Sequence, residues 1–166
     1  MKISNRCRLF CLLLMLGVLC GLIPAFGSTV SAAGSGTTES DPKIVTTYEE
    51  FRSALSSGTS YVKLGAIINT KGLNNGAGYI ESIRQTGTVQ LDLDGYSVNF
   101  FSKTTPLQPA IRVSGNLTIK DSRGGGKLYI DAYSDADSGK QVLILAETGS
   151  FTLNSGRLGV DNGLAK

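Results

Sequence analysis

The sequence predicts an all-β fold, a parallel solenoid of about three coils with an N-terminal capping helix. Three observations lead there. From Tyr61 onward apolar residues recur mainly with a period of two, which puts them on one face of short strands. The stretches LDLDGYSVNF (91–100), LTIKDSRGGGKLYI (117–130) and FTLNSGRLGV (151–160) share one plan: apolar-x-apolar, a polar turn, then a second apolar-x-apolar pair. One helix signal precedes all three.

That helix starts at Thr47 and Glu50, spaced as a capping box in which each side chain satisfies a backbone N–H of the first turn. Tyr48, Phe51 and Leu55 lie on one face and Gly58 follows as a stop, so the helix reads as a packing element over the open end of the core. Strands are predicted at 61–64, 88–93, 96–100, 110–113, 116–119, 127–130, 141–145, 150–153 and 157–160, with Gly, Asn, Asp or Ser between nearly all of them. A unit of two or three such strands cannot bury its apolar side alone and must stack on its neighbours. Inward positions are then Leu91, Leu93, Leu117, Ile119, Phe151 and Leu153 on one side of the coil, with Val98, Leu128, Ile130, Leu158 and Val160 on the next. A β-sandwich also has evenly spaced short strands; the shared internal order of the units favours the solenoid.

The glycines of DSRGGGK (121–127) belong to this plan. A phosphate-binding loop would have glycine where Asp121 stands and a hydroxyl where Leu128 stands. Strand-like residues on both sides make the segment a corner, matched by Asp94-Gly95 and by Asn154-Ser155-Gly156.

Residues 1–32 read as a signal peptide. Lys2, Arg6 and Arg8 form a basic start, Leu9 to Ile23 is apolar, and Val30 and Ala32 are the small residues that set cleavage after Ala32. The apolar run is short for a bilayer crossing, and no membrane span is expected after cleavage. Cleavage removes all three cysteines and three of the 16 Lys and Arg residues, leaving 13 basic against 13 acidic. The mature chain is therefore neutral, which gives no electrostatic reason to expect nucleic acid or anionic lipid as partner. With no histidine or cysteine left, thiol nucleophiles, His-based triads and the usual zinc sites are excluded. Residues 33–42 are small, polar and aperiodic and read as a flexible leader to a domain spanning 43–166.

LDLDGYSV, AIRVSGNLTIKDSRGGGKL and GSFTLNSGRLGV resemble the first coils of right-handed parallel β-helix domains of the pectate-lyase-like superfamily, notably those of large bacterial cell-surface proteins. The resemblance covers roughly residues 43 to 166 and rests on the order of helix, LDLDG and LTIKDS–GG. It implies export from a bacterium and sugar-polymer binding, sugar-polymer cleavage or adhesion. Lyases of this fold use an arginine or lysine base and a carboxylate cluster for calcium on stacked strands.

Stacking lets that implication be checked residue by residue. The outward column on the first strand of each unit reads Asp92, Thr118, Thr152, with a single carboxylate. On the next strand it reads Ser97 or Asn99, Tyr129, Gly159, with no acid, and Arg112 faces outward without an evident acidic companion. Glycoside hydrolysis needs two carboxyls a few ångströms apart; Asp94 reads as a turn residue and Asp92 as a solvated strand residue. Asp131, Asp135 and Asp137 in DAYSDADSG are hard-cation candidates, but the fifth and twelfth positions of a calcium loop hold the wrong residues. Asn116-Leu117-Thr118 matches a glycosylation sequon that a strand in a bacterial protein makes coincidental. Tyr61, Tyr79, Tyr96, Tyr129 and Tyr133 include the best sugar-contacting surfaces, since a phenol joins an apolar face to a hydroxyl. No catalytic, cofactor or metal residue is assigned.

The sequence reading is thus an exported surface or extracellular module, non-catalytic, that binds carbohydrate or host or cell-wall glycans or serves as an adhesin or stalk. The alternative is the front of a polysaccharide lyase or glycoside hydrolase whose active site lies beyond residue 166. RLGVDNGLAK carries no closing helix, charged strand or proline, so the domain is expected to be incomplete at that end and to self-associate through it.

Overall fold

The computed structural model describes residues 34–71, 73, 81–102, 108–132 and 142–161. The chain divides between Ala32 and Ala33; the signal-peptide reading of 1–32, and the readings of Tyr79, Tyr133, Asp135 and Asp137, fall outside the described residues.

Twelve strands and one helix make up the described residues. They are β1 (Lys43–Val45), α1 (Tyr48–Ser56), β2 (Tyr61–Leu64), β3 (Ile68–Asn69), β4 (Ile83–Gln85), β5 (Thr88–Asp92), β6 (Ser97–Ser102), β7 (Ile111–Val113), β8 (Asn116–Lys120), β9 (Lys127–Ala132), β10 (Ile144–Ala146), β11 (Ser150–Leu153) and β12 (Arg157–Asp161). The strands form three sheets, all parallel: a first of order β1-β2-β5-β8-β11, a second of order β10-β7-β4 and a third of order β12-β9-β6-β3. From β2 onward the chain visits the first, third and second sheets in turn, and each return lands beside the strand it left.

Register follows burial. Leu91 stands opposite Val62 and Ile119, Val89 opposite Leu117, Val98 opposite Ile68 and Leu128, and Ile111 opposite Ile83. All ten are buried, so the three sheets share one apolar interior. A one-residue slip would turn each set outward, which is what holds the register.

Helix α1 forms as its signals require. Thr47 accepts from Glu50 N–H, and the Glu50 carboxylate accepts from Thr47 N–H at 3.2 Å. Its buried residues are Tyr48, Phe51, Ala54 and Leu55, and Phe51 meets Phe100 with ring centroids 6.3 Å apart.

The structure adds to the sequence reading and in two places changes it. The first unit aligns two residues from where its similarity to the second suggested, because Leu91 pairs with Ile119 and not with Leu117, whereas the second and third align as expected. Leu93 lies past the end of β5, buried in the corner, and the longer corner at 121–126 absorbs the offset. Residues 34–42 form a turn closed by their own hydrogen bonds. Asp41 accepts from Ser35 N–H (3.0 Å) and Ser35 Oγ (2.7 Å), Gly36 N–H donates to Asp41 O (3.0 Å), and Tyr61 N–H donates to Gly36 O (2.9 Å). Strands β1, β3 and β4 escaped the sequence reading. They have two or three residues each, and inward Gln85 interrupts the apolar alternation of β4. Leu153 (40 % exposed) and Leu158 (36 %), expected inward, are uncovered, and Phe151 is half-buried, because no described strand pairs over β11 and β12.

Glycines set the other recurring corner, between the second and first sheets. A Cβ on Gly115 would fall onto Gly87 O and within 2.6 Å of Gly87 N, and one on Gly149 would fall onto Gly115 O. Stacked backbone leaves no room for a side chain there.

Candidate functional site

The corrected register changes what the first sheet shows to the outside. One column runs Tyr61, Gln90, Thr118, Thr152. A second runs Lys63, Asp92, Lys120, so Asp92 stands between two lysines rather than alone beside threonines. A third runs Thr88, Asn116, Ser150, and Ser150 Oγ donates to Asn116 Oδ1 at 2.8 Å.

Over this face lies the turn of residues 34–42. Between the two is a groove of about 210 Å³, walled by Glu39, Ser40 and Pro42 on one side and by Tyr61, Lys63, Gln90, Asp92 and Lys120 on the other. Glu39 Oε1 accepts from Lys120 Nζ and from Gln90 Nε2, the latter at 3.2 Å. Lys120 Nζ also stands 3.9 Å from Asp92 Oδ2, so it bridges two carboxylates.

Asp92 is buried, not solvated as its strand position suggested. Its Oδ1 accepts from the N–H groups of Asp94 (2.9 Å) and Ser122 (3.0 Å). Burial pushes its carboxyl up, but the Ser122 and Asp94 amides, the Ser122 hydroxyl and Lys120 together hold it below the usual carboxylate range. The hydrogen bond from Lys120, then that from Gln90, holds Glu39 low as well, and the same Glu39 contact pushes the Lys120 ammonium up. At neutral pH both carboxylates and Lys120 are charged. General acid catalysis of glycoside cleavage needs a protonated carboxyl, and base-led elimination needs a neutral amine. These three groups offer neither; they offer fixed charges, beside the one side-chain amide of Gln90 and the phenol of Tyr61.

Below the groove, the DSRGGGK corner is a nested carboxylate turn. Asp121 Oδ1 accepts from Gly95 N–H of the corner beneath and Oδ2 from Gly126 N–H of its own, both at 2.7 Å. Asp121 N–H donates to Ser155 Oγ of the corner above at 2.7 Å. Asp94, at φ 46°, is a turn residue as expected, but it is buried and paired with Lys63 (3.1 Å) and Arg123 (3.3 Å). These carboxylates face backbone amides and cations, which explains why they hold the corners together; among the described residues no group of three metal-binding side chains occurs.

The other expected positions scatter. Tyr129 and Asn99 share a column of the third sheet with Gly159, and Tyr96 lies under Arg123, whose guanidinium carbon is 5.8 Å from the ring centroid. Arg112 has the acidic companion the sequence hid: Glu147 Oε1 accepts from its Nη1 at 2.5 Å, across a 35-residue separation in chain that only the stacking of β7 and β10 closes. Sequence reasoning missed Glu39, Gln90 and Lys120. The signal available was a lysine two residues after Tyr61 in YVKL and two after Thr118 in NLTIK. Among the described residues, no helix is long and apolar enough to cross a membrane. No family model, no curated protein and no solved structure matches the chain.

Proposed function

We propose that the chain is an exported bacterial β-helix module of the pectate-lyase-like kind, right-handed, which binds carbohydrate on the outer face of its first sheet without cleaving it. The recurring visit to three parallel sheets supports the solenoid reading, and parallel crossovers favour the right hand. The basic, apolar and small-residue succession of residues 1–32 supports export to the surface or medium. The observation that carries the binding reading is the groove itself: Tyr61 and Gln90 in one column, with Lys63, Asp92 and Lys120 in the next. A phenol and an amide offer a sugar an apolar face and both hydrogen-bond polarities, and the fixed charges orient it.

A glycan array probed at high protein concentration tests this. One glycan class should be retained, and Tyr61→Ala should weaken it about tenfold. Incubation with acidic polysaccharides, with and without calcium, should yield neither unsaturated ends nor new reducing sugar. Retention of no glycan would end the binding reading, and either product would favour the leading part of a lyase or hydrolase instead.

A further inference from the structure

We infer that residues Gly34–Pro42 form a releasable strap over the groove, latched by Glu39, so that the strap and an anionic ligand compete for Lys120 and Gln90. The inference rests on the groove being the binding site proposed above.

The strap is built to lift as a unit. Its fold is internal: Asp41 closes it onto Ser35, Gly36 N–H donates to Asp41 O, and Thr38 bridges Asp41. None of its residues belongs to the hydrophobic core, and Ser35 and Thr37 through Asp41 are exposed. Among the described residues, three hydrogen bonds tie it to the first sheet. Gly36 O accepts from Tyr61 N–H at 2.9 Å, and Glu39 Oε1 accepts from Gln90 Nε2 and Lys120 Nζ. A segment that buries no apolar side chain opens at far lower cost than the strands beneath it.

The latch also states the chemistry of what replaces it. A glutamate carboxylate sits on an ammonium and an amide N–H, beside Tyr61, in a groove open to solvent. Any carboxylate presented on a chain that fits the groove makes the same two bonds, and Lys63, 3.1 Å from Asp94, adds a second cation on the same column. Glu39 therefore acts as a tethered competitor. It keeps Lys120 neutralised until a multivalent anionic ligand displaces it.

Hydrogen exchange on the full chain tests the strap directly. The Tyr61 amide reports the Gly36 bond, while the Leu93 amide, bonded to Lys120 O, and the Asn116 amide, bonded to Gly87 O, report the stack. Glu39→Gln and, separately, Lys120→Met should each speed Tyr61 exchange by about threefold or more and leave Leu93 and Asn116 unchanged. Polygalacturonate, as a carboxylated probe chain, should do the same to the unaltered protein, and dextran should not. It should also bind Glu39→Gln more tightly than the unaltered protein. Tyr61 exchange unmoved in both variants would overturn the strap whatever any glycan does. Faster Tyr61 exchange in both variants, with no glycan retained by either, would keep the strap and refute the binding reading.

Discussion

Replacing Gly115 with alanine is the sharpest test of the stacked corners. Gly115 has no left-handed φ, so alanine meets no backbone strain, and the whole effect is close approach. The added methyl would lie on Gly87 O, 2.6 Å from Gly87 N and 2.8 Å from Gly87 C. These are backbone atoms that also serve the ladder: Gly87 O accepts from Asn116 N–H at 2.7 Å. No rotamer change relieves the clash; β5 and β8 must part at the corner, against a strand spacing of about 4.8 Å. Ordinary overpacking costs about 1–3 kcal/mol. With a rigid partner and a ladder bond disturbed, about 3 kcal/mol or more is expected, which for a domain of this size lowers the melting temperature by roughly 10 °C. The measurement is a thermal melt by circular dichroism, paired with a urea titration. Gly159→Ala is the control, since a Cβ there meets nothing within 4 Å, and it should be neutral or slightly stabilising. Gly115→Ala within about 1 kcal/mol of the parent would refute the stacked-corner argument.

Asp121→Ala leaves Gly95 N–H and Gly126 N–H without their acceptor and should cost about 2–4 kcal/mol in urea unfolding, with Asp121→Asn costing less. Asp92 is held below its ordinary pKa, so its contribution is present above the unfolded value of about 3.9 and fades as pH falls through the folded one; Asp92→Asn should flatten the acid limb of a stability–pH curve. The buried Tyr48 hydroxyl is pushed up to about 12, chiefly by burial. Its contribution is whole below about pH 10 and is lost as pH rises through 12, so Tyr48→Phe should remove that alkaline loss and the slowest-appearing phenolate signal. Leu145, Leu153 and Leu158 are exposed on β10, β11 and β12, and light scattering should show concentration-dependent association that Leu158→Lys weakens; a monomer at every concentration would contradict that edge pairing.

Local signals made much of this molecule legible before any coordinates. Thr47 and Glu50 determine where α1 starts, since a capping box involves only residues three apart. Alternation determined the faces of β5, β6, β8 and β9, because a strand's inward set is written every second residue. The corner at DSRGGGK was legible for the same reason: Gly124 and Gly125 take φ of 85° and 90°, which only glycine adopts freely. Tertiary structure alone decided what stacks on what. Sequence similarity set Leu91 above Leu117, whereas burial and ladder bonding set it above Ile119, and that shift of two residues moved Asp92 from a column of threonines to one of lysines. The groove depended on it, since Lys63, Asp92 and Lys120 are brought together by register and not by spacing. Glu39 reached Lys120 across most of the domain because the strap folds on its own Asp41 turn. Periodicity carries the direction of a side chain, but not the identity of its neighbour on the next strand; that is set by the free energy of the whole core.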